Sequence, residues 1–153
     1  MDIANLSIRR ALISDLEAIL QVEHRAYQPP WSRKQFEDCF NDRYQIEVVF
    51  DGHNLIAYWV LQPILDELHI LNFCVNPDYH NQGIGKALLS TLTKNTSQQG
   101  MSRILLEVRR SNKAARALYK GCNFEFMGTR KNYYPTFAGA REDAITMELL
   151  LGE

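Results

Sequence analysis

His80-Asn81-Gln82-Gly83-Ile84-Gly85-Lys86-Ala87-Leu88-Leu89 decides how this chain is read. It follows an apolar run, Leu68 to Val75, and a turn, Asn76-Pro77-Asp78-Tyr79. Ile84, Ala87, Leu88 and Leu92 recur at helical spacing, which predicts an amphipathic helix that stops before Gly100. The first N–H groups of such a helix have no partner inside it, and its dipole adds about half a positive charge there. Gly83 and Gly85 let a bulky anion approach the backbone without meeting a Cβ. Strand, turn and glycine-bearing helix start therefore predict a site for a phosphorylated ligand.

Two familiar phosphate loops fail on spacing. A dinucleotide fingerprint needs a third glycine three residues after Gly85, where Leu88 stands. A P-loop needs glycine five residues before Gly85 and Ser or Thr after Lys86, but His80 and Ala87 stand there.

Working outward, residues 6–10 predict a short first strand, and Ser14 is the expected cap of a helix with Leu16, Ile19, Leu20 and Ala26 on its apolar stripe. Pro29-Pro30 end that segment. Ser32 is the expected cap of a second helix to about Phe40. Residues 44–50 and 54–62 predict two strands around the hairpin signal Asp51-Gly52-His53-Asn54, and a third strand runs from about Glu67 to Val75. Strand 103–108 is nearly all apolar, as expected of a strand covered on both faces. Asn112 is the expected cap of a helix ending near Gly121, and residues 124–130 and 143–150 predict a last strand pair around a Tyr133-Tyr134-Pro135 loop. The result is an α/β chain of one domain, with a mixed central sheet flanked by helices. The strands ending at Val75 and Val108 must be parallel, because a helix crosses between them. Ligands bind beyond the C-terminal ends of such strands, so the glycine loop and Glu107 are expected at one edge.

Composition narrows the function classes. The chain has 153 residues, 46% hydrophobic and 23% charged, with a net charge of −1. That suits a globular domain and argues against nucleic acid as a partner. Cys39, Cys74 and Cys122 are widely spaced among apolar neighbours, which predicts small core residues and no metal centre. The N-terminal residues lack a basic, signal-like run, and no apolar stretch reaches membrane-spanning length, so a soluble cytoplasmic chain with no membrane partner is expected.

His80-x-x-Gly83-x-Gly85 resembles the coenzyme-A pyrophosphate loop of the GNAT acetyltransferases, Gln/Arg-x-x-Gly-x-Gly/Ala, with His as a departure at the first place. Downstream, Ile104 to Asn112, Ala114 to Tyr119, Gly121-Cys122-Asn123-Phe124, Arg130 to Pro135 and Glu142 to Met147 resemble the second half of a GNAT domain. They look most like the bacterial branch that acetylates the N-terminal alanine of a small-subunit ribosomal protein. The likeness is strong from about Asp66 onward. Earlier it rests on Glu23 to Tyr27 and Pro30-Trp31-Ser32. It implies the GNAT acyl-CoA N-acyltransferase fold, acetyl-CoA as cosubstrate without a metal, and the N-terminal peptide of a ribosomal protein as partner. A lysine or small-amine acetyltransferase of the same fold, or a non-catalytic acyl-CoA sensor, are the alternatives.

Acetyl transfer from a thioester to an amine requires that the amine lose a proton and that the departing thiolate gain one. Glu107 is an isolated acid near the end of an apolar strand. By itself it reads as a carboxylate at a solvated strand end, or one paired with Arg109 or Arg141; the resemblance makes it the general base, directly or through water. Tyr119 has a phenol of reference pKa about 10. It reads either as an aromatic packed beside Leu118 or, by the resemblance, as the acid that protonates the thiolate. The resemblance also assigns Phe73, Cys74 and Val75 to backbone pairing with the pantetheine arm. It places Asn81, Gln82, Gly83, Ile84, Gly85 and Lys86 at the pyrophosphate, and Asn112 at the coenzyme. Glu67 and His69 are rival bases, His69 reading more simply as a packed histidine. Trp31, Tyr133 and Tyr134 are expected to wall the acceptor groove, with a core place for Trp31 as the alternative. Glu23, Glu37, Asp38 and Asp42 read as a solvated face, or as a lure for a basic peptide.

Overall fold

The computed structural model describes residues 5–27 and 29–152. The chain groups into two compact units, one of residues 1–62 and 71–85, the other of residues 63–70 and 86–153. Seven strands form a mixed sheet, with helices flanking it.

In the first unit β1 (Ser7–Arg10) pairs antiparallel with β2 (Gln45–Asp51), and β2 with β3 (Asn54–Ile64) across the predicted hairpin, Asp51 facing Asn54. Gly52 takes a φ of +60° there, a conformation that a side chain would strain. Helix α1 (Leu16–Ala26) sends Leu16, Ile19, Leu20 and Val22 into a core with Phe36, Val48, Tyr58 and Cys74. A single 3-10 turn, Ile13–Asp15, precedes α1. Asp15, not Ser14, satisfies this helix entry, because its carboxylate accepts from Leu12 N–H at 2.7 Å. Arg9 on β1 holds the same carboxylate at 2.8 and 2.9 Å, and its hydrogen bonds keep the carboxyl below the usual range. Ser32 and Gln35 form a reciprocal cap at 3.2 and 2.8 Å at the start of α2 (Arg33–Glu37). α2 is shorter than expected. Cys39 and Phe40 donate to carbonyls three residues back, and Asn41 Nδ2 takes the Asp38 carbonyl at 2.8 Å, which closes the segment as turns.

β4 (Glu67–Val75) occupies the span read from the sequence. In the second unit its residues Glu67 to Ile70 pair parallel with Arg103 to Leu106 of β5 (Arg103–Arg109). β5 pairs antiparallel with β7 (Arg141–Leu150), and β7 with β6 (Glu125–Pro135). β5 differs from the expectation of two covered faces. Ile104, Leu106 and Val108 are buried, while the alternate residues are half-buried. The reason is chemical: Arg103, Glu107 and Arg109 all point to that second face, and each has an ionic partner there. α3 (Ile84–Gln98) buries Ile84, Leu88, Leu89, Leu92 and Thr96. α4 (Lys113–Gly121) begins at Asn112, whose Oδ1 accepts from Ala115 N–H at 3.1 Å. Asn123 follows it at a φ of +73°, ending the helix in the left-handed region.

The Tyr133-Tyr134-Pro135 segment is strand, not loop. Among the described residues β6 has no strand on its other side, so Pro135 deprives no neighbour there of a donor. The register shifts between Arg130 and Tyr134, with Asn132 at a φ of +53°. The turn lies instead at residues 136–140, closed by Thr136 N–H to Ala140 O at 3.1 Å. Cys39 and Cys74 are buried, Cys122 is half-buried, and all three are free thiols. Among the described residues, no helix is long and apolar enough to cross a membrane.

Candidate active site

One group of candidate residues lies in the first unit, at the end of β4 and in the loop after it. Asn76 builds the turn: its Oδ1 accepts from Asp78 N–H at 2.9 Å and from Arg25 Nη2 at 3.0 Å, while its Nδ2 holds Leu55 O at 2.8 Å. His80 turns back on the strand and places Nε2 2.7 Å from Val75 O, so the nitrogen carrying the proton there is Nε2. The side chain at the departing position of the motif thus braces the strand end. Asn81 and Gly83 take φ values of +62° and +76°. Nothing lies within 4 Å of where a Cβ on Gly83 would stand. Residues 80–83 are exposed, Ile84 is buried, and Lys86 is exposed. Open space, left-handed backbone and a buried anchor at the helix start suit a phosphate-bearing ligand, the chemistry expected of Asn81 to Lys86.

Phe73 and Cys74 are buried. Phe73 stacks on Trp59 with centroids 5.7 Å apart, and its carbonyl accepts the Tyr27 hydroxyl at 2.5 Å. Burial pushes the Cys74 thiol up to about 12, which leaves it inert.

Another group lies in the second unit, on β5, β6 and β7. Glu107 sits opposite Thr146 and meets Arg130 Nε at 3.1 Å. Its partner is therefore neither Arg109 nor Arg141. The Arg130 guanidinium lies 5.4 Å from the Tyr133 ring centroid, and the Tyr133 and Tyr134 rings meet edge to face at 5.0 Å. Burial, then the charge of Glu107, raises the Tyr133 phenol, and the same two causes push Tyr134 higher still. Arg109 lies 4.5 Å from the Tyr134 ring centroid, donates to Pro135 O at 2.8 Å, and pairs with Glu142 at 3.0 Å. Burial opposes charge on Glu142, but hydrogen bonds from Ser111 and Arg109 outweigh it and keep the carboxyl below its ordinary range. Glu107, Tyr133 and Tyr134 are thus brought together, with Arg130, Arg109 and Glu142 as members that sequence reasoning missed.

Asn112 caps α4, and Tyr119, on that helix, is buried against Phe124 with ring centroids 5.7 Å apart. Among the rival bases, Glu67 is bound to Arg103, which also holds Glu148 at 2.8 Å. His69 buries an Nε2 that has no hydrogen-bond partner among the described residues. Trp31 is half-buried, packing on Phe36 with centroids 5.1 Å apart beside the core of the first unit. Glu23 is not on a solvated face: it is 1% exposed. Leu16, Leu20, Glu23 and Tyr27 follow one helical stripe, and that spacing was the signal for its burial. Among the described residues no group of three or more His, Cys, Asp or Glu side chains is placed to hold a metal ion.

The chain is an acetyltransferase: it belongs to the GNAT acetyltransferase family, whose model matches residues 13–124. The [ribosomal protein bS18]-alanine N-acetyltransferase of Escherichia coli strain K12 is 42% identical over 136 residues, 89% of this chain and 91% of its own. Its counterpart in Haemophilus ducreyi is 35% identical over 137 residues, 90% of this chain and 94% of its own. The crystal structure of the Escherichia coli ribosomal-protein-S18-alanine N-acetyltransferase superposes with a TM-score of 0.87 at 39% identity, covering 97% of this chain and 95% of that one. The fold extends to Arabidopsis thaliana NAA60 in complex with acetyl-CoA, with a TM-score of 0.83 at 19% identity over 95% of this chain and 98% of that one. Acetyl-CoA is the acetyl donor of the family.

Proposed function

We propose that this chain transfers acetyl from acetyl-CoA to the α-amine of an N-terminal alanine, with ribosomal protein bS18 as the leading acceptor. The observation that carries this is the 42% identity, across 89% of the chain, to an enzyme of that name. The loop from Asn81 to Lys86 receives the pyrophosphate on backbone N–H groups, with the Lys86 ammonium beside it. The backbone of Phe73 to Val75 aligns the pantetheine arm, and Asn112 touches the coenzyme as well as capping α4. The amine nitrogen attacks the thioester carbon, Glu107 takes its proton directly or through water, the C–S bond breaks, and Tyr119 protonates the thiolate. The products are the N-acetylated peptide and free coenzyme A.

An N-terminal amine has a reference pKa of about 7.7–8.0, so one carboxylate suffices to deprotonate it; a lysine at about 10.4 asks for much more. Trp31, Tyr133 and Tyr134 wall the acceptor groove and favour a small first residue. The whole chain works as one domain, a reading supported by a family match that takes in residues of both units. The setting is cytoplasmic, and the net charge of −1 disfavours a nucleic-acid partner.

One peptide in two forms tests the acceptor: free N-terminal alanine, or a blocked N-terminus with lysines available. Intact mass after incubation with acetyl-CoA should show one added acetyl on the free form alone. Comparable acetylation of the blocked form makes the chain a lysine acetyltransferase instead, and binding without turnover on any amine makes it an acyl-CoA sensor.

A further inference from the structure

We infer that Glu23 is a positioning residue for the acceptor: its buried carboxylate holds the backbone at Trp31 against β3 and β4, and so sets the affinity for the peptide. The inference rests on the proposed function in taking Trp31 as a wall of the acceptor groove.

Glu23 is 1% exposed and lies outside the set of residues that carry the reaction. Its Oε1 accepts from the Tyr58 hydroxyl at 2.5 Å and from Asn72 Nδ2 at 3.0 Å. Its Oε2 accepts from Trp31 N–H at 2.9 Å. Two of these donors come from strands and one comes from the segment between α1 and α2. Pro29 and Pro30 carry no N–H, so Trp31 is the first residue after them whose backbone can be held by donation. The N–H groups of Ser32 and Gln35 are engaged in the cap of α2. Glu23 thus ties the backbone of this segment to the sheet.

The side chains close the same circuit. The Trp31 ring packs on Phe36, and Phe36 packs edge to face on Tyr58 with centroids 6.0 Å apart. Tyr58 then returns to Glu23 through its hydroxyl. Trp31 is thus located twice, by its N–H and by its ring, and both paths end on one carboxylate. Tyr27, one turn after Glu23, grips the carbonyl of Phe73, the neighbour of Asn72. A buried hydrogen-bond network in which every oxygen has its donors rigidifies what it holds. A rigid wall lowers the ordering cost of binding an extended peptide.

Glu23→Gln keeps the shape but turns an NH₂ group toward a donor. Losing one hydrogen bond to a charged group should raise the acceptor KM about tenfold or more. The Kd for acetyl-CoA should change less than about twofold, because the phosphate loop is untouched. Tyr58→Phe removes one donor, keeps the ring packing, and should raise the acceptor KM by a smaller factor. Trp31 is read directly by acrylamide quenching of fluorescence in a Trp59→Phe background, since the chain has two tryptophans. Quenching of Trp31 should rise in Glu23→Gln while the far-ultraviolet circular dichroism stays native.

An unchanged acceptor KM in a folded Glu23→Gln protein overturns the inference. So does an equal loss of affinity for both substrates, which would mark a purely structural role. If the unaltered protein leaves the N-terminal-alanine peptide unmodified, the proposed function falls. The quenching then decides the inference alone, and unchanged quenching overturns it.

Discussion

Replacing Arg109 with Met probes the support beneath Tyr134. The guanidinium pairs with Glu142 at 3.0 Å, donates to Pro135 O at 2.8 Å, and lies 4.5 Å from the Tyr134 ring centroid. The side chains of Arg109 and Glu142 are 16% and 21% exposed, so solvent screens the pair only in part. A hydrogen bond to a charged group contributes about 1.5–3 kcal/mol, and a partly desolvated cation–π contact about 0.5–2 kcal/mol. Met retains the aliphatic stem, so packing loss is small. The terms overlap, and a destabilisation of about 2–4 kcal/mol at neutral pH is the expected sum. Urea unfolding of the single variants, Arg109→Met and Glu142→Gln, and of the double variant isolates the pair. The coupling energy should be about 1–3 kcal/mol.

The pH dependence has a definite sign. Glu142 is held below its ordinary range in the folded state, so its contribution is fully present above the unfolded pKa of about 4.3 and is lost as pH falls through the lower folded value. The stability gap between the parent protein and Arg109→Met should therefore narrow below about pH 4. A cost under about 1 kcal/mol at pH 7 with no coupling would refute the reasoning, since solvated surface pairs behave that way.

Gly85→Glu puts a side chain and a negative charge at the start of α3, and calorimetry should show the affinity for acetyl-CoA falling about tenfold or more with the fold intact; unchanged affinity would place the ligand elsewhere. Glu107→Gln should slow turnover by about 10² to 10⁴-fold. The loss should be greatest below about pH 7.7, where the acceptor amine is protonated, and full activity across the pH range would assign the base to water, Glu67 or His69. Tyr119→Phe keeps the edge-to-face contact with Phe124, so coenzyme affinity should hold in a binding titration. Turnover should nevertheless fall by about 10²-fold or more in the steady state, and an unchanged kcat would mean that the thiolate takes its proton from another donor.

What the sequence determined by itself is what short-range rules decide. The span of β4, the hairpin at Asp51 to Asn54, and the caps at Ser32 and Asn112 follow from periodicity, turn chemistry and hydroxyl or amide acceptors placed three residues before an N–H. The glycine loop was legible for the same reason, because its conformation depends on residues next to one another. Tertiary structure decided the partners. Asp15 replaces Ser14 at the entry to α1, with Arg9 of β1 holding the same carboxylate. Glu107 of β5 pairs with Arg130 of β6 across the intervening β7, so the order of strands in the sheet decides its partner. Tyr133 to Pro135 extend as strand because β6 is an edge that tolerates proline. Glu23 looks like one more surface acid until Tyr58, Asn72 and the backbone of Trp31, 35, 49 and 8 residues away, close over it. A carboxylate can be buried only when distant parts of the chain deliver donors to it, and that delivery is a property of the folded chain.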